Sequence, residues 1–119
     1  MKLQELADVL EIDVQGSLAD RFMNSEALYA RFLKKLLADE NMAGLEAAVA
    51  ALDLPAAEQR AHALKGVCAN LGLTGLQASF ALIVNMVRKN EADAASLAQA
   101  LARAKAQYEL AQKYISQLE

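Results

Sequence analysis

The 119-residue chain contains no tryptophan, one proline, one histidine, one cysteine and only six aromatic side chains. A single cysteine excludes an internal disulfide, and nothing in its usage points to an oxidising compartment. Cys68 reads as a small core residue and not as a reactive thiol. Val, Ile and Thr together fill only ten positions, which is poor material for a sheet, because β-branched residues are the usual strand formers. No window of 18 residues is uninterruptedly apolar, so there is no transmembrane candidate. The opening Met1-Lys2-Leu3-Gln4-Glu5 lacks the apolar centre of a signal peptide. A cytoplasmic location is therefore expected, with no membrane partner. Acidic residues outnumber basic ones, for a net charge of -3, and neither sign forms a block. Backbone binding to nucleic acid needs concentrated Lys and Arg, so a nucleic-acid partner is not expected.

What remains is dominated by Ala and Leu, and good helix formers imply an all-α fold. The apolar spacing predicts a short helix over 2–10, with Leu3, Leu6, Val9 and Leu10 on one side. A second short turn follows over 14–22. Asn24 or Ser25 caps a helix over 25–38 that places Leu28, Phe32 and Leu36 inward, with Tyr29 and Leu33 as further candidates. Helix 42–52 turns Leu45, Val49 and Leu52 to the core. Pro55 suits the first turn of the next helix, where its missing N–H costs nothing, and Gly72 is a natural stop for that helix. Helix 74–90 buries Leu76, Phe80, Ile83 and Val87. Asp93 caps a last helix over 94–117, with Leu97, Leu101, Tyr108 and Ile115 inward. Short connections make neighbours antiparallel, and four such helices close a bundle. The expected organisation is one domain over 1–119, with the bundle over 25–117 and a short additional N-terminal helical segment.

The only histidine lies in Ala61-His62-Ala63-Leu64-Lys65-Gly66-Val67-Cys68-Ala69-Asn70-Leu71-Gly72. Residues three, four and seven apart share a helix face, so His62, Lys65, Gly66 and Ala69 form one stripe. Leu64, Cys68 and Leu71 lie on another. The stripe joins an imidazole, a cation one turn away and two residues with almost no side chain. That arrangement suits a nucleophile which meets a large partner carrying an anion. Glycine inside a helix costs about 1 kcal/mol relative to alanine, so Gly66 needs a reason such as close approach. Glu58 and His62 at i, i+4 would make at most half a metal site, with one histidine and no cysteine pair to complete it.

His62-Ala63-Leu64-Lys65-Gly66, followed by Leu71-Gly72 and Leu76, closely resembles the signature of the histidine-containing phosphotransfer (HPt) domain, and the likeness extends over nearly all of residues 13–118. The resemblance implies a phosphocarrier, not an enzyme. His62 would accept a phosphoryl group from a receiver aspartyl-phosphate or a histidine kinase and pass it to another receiver. Such transfer asks for in-line positioning and charge stabilisation. Much of an imidazole is unprotonated near its reference pKa of about 6.5. Lys65 would neutralise the phosphoryl oxygens as a compact charge, while Gly66, Ala69 and Glu58 would form the docking surface. No cofactor of its own is implied; Mg2+ would belong to the receiver, and the chain would act as a monomer.

Two positions refine this picture. Helix 74–90 folds back beside the His62 helix, so residues near 83–84 stand level with His62 and Arg88 lies about 6 Å further at roughly 1.5 Å per residue. Arg88 is thus expected to lean toward the phosphoryl site as a second cation, as a basic residue does in some relatives. Val84 stands where many relatives carry Glu or Gln, leaving water or Glu58 as the expected partner of the other ring nitrogen. Arg31, Lys34 and Lys35 are a candidate partner contact, with a solvated face as the preferred reading. The competing readings are a receiver-binding adaptor that is never phosphorylated, and the HPt domain of a larger hybrid or chemotaxis kinase.

Overall fold

Residues that start and stop helices divide the chain where their chemistry dictates. In the computed structural model, which describes all 119 residues, every regular element is helical. A 3-10 turn (Leu3–Glu5) leads into α1 (Leu6–Val9), followed by α2 (Val14–Arg21) and α3 (Glu26–Lys35), which a 3-10 turn extends over Leu36–Ala38. Then come α4 (Asn41–Ala50), α5 (Leu54–Leu71), α6 (Thr74–Arg88) and α7 (Ala94–Ile115). Side-chain oxygens of Asp13, Ser25, Asp53 and Asp93 accept from backbone N–H groups three residues on, at 2.8–3.2 Å. These bonds satisfy amides that a helix start leaves orphaned. The Ser96 amide also holds the Asp93 carboxyl below its ordinary pKa.

α5 ends at Gly72, whose φ of 72° lies in the left-handed region. The Leu73 N–H donates to the Cys68 carbonyl at 2.9 Å and the Gly72 N–H to the Ala69 carbonyl at 3.3 Å, which is the Schellman pattern. Glycine is required here twice over. A Cβ would overlap Ser17 Oγ and come within 2.6 Å of the Asp13 carbonyl oxygen, and the Asp13 N–H donates to the Gly72 carbonyl at 2.8 Å. The stop of α5 is also the seat of α2.

Four helices close a ring: α4 packs on α5, α5 on α6, α6 on α7, and α7 back on α4. Polar links across each seam fix the directions. Arg60 reaches Asn41 at 3.1 Å, Arg88 reaches Glu58 at 2.6 Å, Ser79 donates to Gln107, and Lys105 meets Glu46 at 3.2 Å. Each of the first three links joins residues comparably far from the turn between them, so consecutive helices run antiparallel. The fold is an all-α antiparallel bundle, with α3 outside the ring against α2 and α5. Its core is one continuous cluster of 29 buried residues.

The inward faces depart from expectation in places. On α3 the buried residues are Tyr29, Leu33 and Leu36, while Leu28 is half-buried and Phe32 is 38% exposed. The Tyr29 hydroxyl donates to the Leu71 carbonyl, and its ring stacks on Phe22 at 4.9 Å. Those contacts set the rotation of the helix and turn Phe32 outward. Leu52 is exposed because it sits in the α4–α5 turn at a φ of 52°. Met42 takes a core position on α4 in its stead. Val9 lies at the surface, Val87 and Leu101 are half-buried, and Val84 is buried on α6. On α7 the alanines 100, 104 and 111 share the interior with Leu97, Tyr108 and Ile115.

Candidate functional site

α5 is divided lengthwise. Ala57, Ala61, Leu64, Cys68 and Leu71 are buried, with burial pushing the Cys68 thiol up to about 12, far from the thiolate a reactive cysteine needs. On the opposite side His62 and Gly66 are exposed, and Lys65 and Ala69 are half-buried. The stripe is therefore real in space: the imidazole faces solvent, with the half-buried Lys65 one turn along.

Gly66 shows what the stripe is free of. A Cβ placed there would meet nothing within 4 Å. Every other glycine has a neighbour inside that distance: Asp13 beside Gly16, Arg60 beside Gly44, Glu11 beside Gly75, and Ser17 with Asp13 at Gly72. No packing demand inside the protein accounts for Gly66, and its surroundings are open solvent.

Arg88 does come over to α5, but its Nε donates to Glu58 Oε1 at 2.6 Å. Two expectations change with this contact. Arg88 engages a carboxylate one turn short of His62, not the imidazole site itself. Glu58, spent on Arg88, is not the imidazole's hydrogen-bond partner, and His62 makes no side-chain hydrogen bond. Val84, almost wholly buried, offers no polar group either. Ring orientation is left to solvent and to whatever docks. No three His, Cys, Asp or Glu side chains stand together as a metal site.

Beside the C-terminal half of the stripe lies a groove lined by Phe22, Leu28, Phe32, Val67 and Asn70, with Arg21, Lys35 and Asp39 as its charged members. Lys35 Nζ sits 4.3 Å from the Phe32 ring centroid, a cation–π contact that places one member of the expected solvated face at an apolar surface. The outward turn of Phe32 creates this feature, and only the Tyr29 contacts reveal it.

A family model described as the Hpt domain matches residues 28–118, most of the chain. The chain belongs to the Hpt domain family. Hpt domains are phosphotransfer carriers of two-component signalling and interact with receiver domains and kinases. The matched span starts within α3, so α1 and α2 lie outside it and the agreement is narrower than residues 13–118. Comparison with curated proteins and with solved structures gave no match. No helix of this Hpt protein is long and apolar enough to cross a membrane.

Proposed function

We propose that His62 is the phosphoacceptor of a phosphorelay carrier, receiving the group from a receiver aspartyl-phosphate or a histidine kinase and delivering it to another receiver. The observation that carries this reading is an exposed imidazole next to a glycine whose bare backbone answers no need within the fold. The unprotonated ring nitrogen attacks phosphorus, the P–O bond to the aspartyl carboxylate breaks, and that carboxylate leaves with the electron pair. A P–N bond forms, and the ring sheds its remaining proton to water. Lys65 supplies a positive charge for the phosphoryl oxygens. Mg2+ and the acid–base groups come with the partner, so the protein is a carrier and not an enzyme in its own right.

Docking uses the stripe around Gly66 and Ala69, with Glu58 at its edge, together with the groove at Phe32 and Val67. This apolar surface, with charges of both signs from Arg21, Lys35 and Asp39, suits a transient contact with one folded receiver, made by a cytoplasmic monomer. The test is incubation with a receiver loaded by a small phosphodonor. Label that survives base and is lost in acid marks phosphohistidine, and His62→Gln should abolish it while leaving the helical content unchanged. A wild-type chain that binds cognate receivers yet takes no label from them or from a kinase is an adaptor, and the carrier assignment is then wrong.

A further inference from the structure

Glu58 is the one anion on the His62 face that lies within a turn of the imidazole, and it is occupied by Arg88. We propose that Glu58 is a stand-in for the phosphoryl group: it holds Arg88 beside the empty acceptor, and Arg88 exchanges it for the phosphoryl oxygens once His62 is charged. The inference rests on His62 being the phosphoacceptor.

The geometry favours such an exchange. Glu58 and His62 are four residues apart on one helix, which puts their Cβ atoms about 5–6 Å apart. The guanidinium is thus already delivered to the neighbourhood from α6, and a modest side-chain rotation suffices to move it. The ion pair is made through Nε, so the terminal N–H groups of Arg88 are not used in it. The side chains of Arg88 and Glu58 are 53% and 31% exposed, and pairs this wet contribute little to stability. A phosphoryl group brings roughly -1.5 to -2 charges and three strong acceptor oxygens. It outbids a single carboxylate for a guanidinium, whose fork matches phosphate geometry. Lys65, three residues beyond His62, flanks the group from the other end, so the charged site is clasped between two cations from two helices. Glu58, released, becomes an unpaired negative charge near the phosphoryl group and favours its onward transfer. Arg88 thus touches the transferred group itself, while Glu58 is a positioning residue that acts through Arg88, and together they set the balance between holding the group and giving it up.

The experiment uses the full chain, labelled with 15N, and phosphoramidate as the donor. Its P–N bond breaks, ammonia leaves, and a new P–N bond forms to His62. The Arg88 Nε–H resonance, identified by its loss in Arg88→Lys, should move on phosphorylation in the wild type. In unphosphorylated Glu58→Gln it should already be displaced from the wild-type position. At equilibrium with one receiver, Glu58→Gln should shift phosphoryl occupancy toward His62 by more than threefold, since the lost charge about 6 Å away in a water-like dielectric accounts for about threefold and release of Arg88 adds to it. Arg88→Gln should shift it toward the receiver. In the double variant the Glu58 effect should fall back to about threefold, since the competition for Arg88 is gone and only the direct repulsion is left. If His62 is charged but the Arg88 signal stays still and both variants keep the wild-type equilibrium, the exchange is refuted and the carrier assignment stands. If His62 takes no phosphoryl group from phosphoramidate or from a receiver, both fall.

Discussion

Replacing Gly66 with alanine and then leucine separates stability from function by their signs. At Gly66 an added Cβ meets nothing within 4 Å, and the residue lies well inside α5. Alanine is preferred over glycine in a helix interior by about 1 kcal/mol, with no compensating clash. An unfolding entropy of roughly 2.1 cal/mol/K per residue gives about 0.25 kcal/mol/K for 119 residues, so Gly66→Ala should raise Tm by about 4 °C. Leucine is nearly as good a helix former and should retain most of that gain. Receiver affinity and transfer rate should move the other way, falling from glycine to alanine to leucine as bulk enters the docking stripe. Thermal unfolding followed by circular dichroism reads the first quantity; label transfer from a loaded receiver reads the second. Gly72→Ala is the control of opposite sign, losing stability through its positive φ and the crowding by Ser17 and Asp13. Should Gly66→Ala lower Tm, the open space around it has been misjudged. If Gly66→Leu transfers at the wild-type rate, the glycine does not serve partner approach.

Other outcomes follow from named contacts. Lys65, half-buried and in no ion pair, should be removable as Lys65→Ala with Tm nearly unchanged but transfer slowed tenfold or more on the scale of a lost charge-assisted contact, about 1.5 kcal/mol; equal rates in a quench assay would dismiss the residue. Tyr29→Phe should cost about 1–3 kcal/mol by leaving the helix-terminal Leu71 carbonyl without its buried donor, as read from denaturant midpoints at constant m; no loss would mean water replaces the hydroxyl. Burial pushes the phenols of Tyr29 and Tyr108 and the Cys68 thiol each up to about 12. Folding therefore favours their protonated forms. Stability should hold below about pH 9 and decline between pH 9 and 12, because the unfolded chain ionises first. A urea midpoint that stays flat from pH 8 to 10.5 would contradict this.

Much of the architecture was legible because it is written locally. Ser25, Asp93, Pro55 and Gly72 act through bonds within a few residues of themselves, so their chemistry marks boundaries without reference to the rest of the fold. The imidazole stripe was legible for the same reason, since helical spacing alone aligns His62, Lys65 and Gly66. α3 was harder. Leu28, Tyr29, Phe32, Leu33, Leu36 and Leu37 spread over about half its circumference at roughly 3.6 residues per turn, so period alone leaves its rotation undecided. The choice is made by Tyr29 finding Leu71, 42 residues away. The Arg88–Glu58 pair spans 30 residues and is likewise invisible to local pattern. Its signal was the near-symmetry of the two positions about Gly72, which the antiparallel return of α6 converts into contact.

The lengthwise partition of α5 has an evolutionary corollary. The columns of α5 that hold the domain together and the columns proposed to meet its partners share a backbone but no fully buried side chain. Under the docking proposed above, substitutions at an exposed position such as Asn70 can rewire which receivers are admitted without touching a buried side chain.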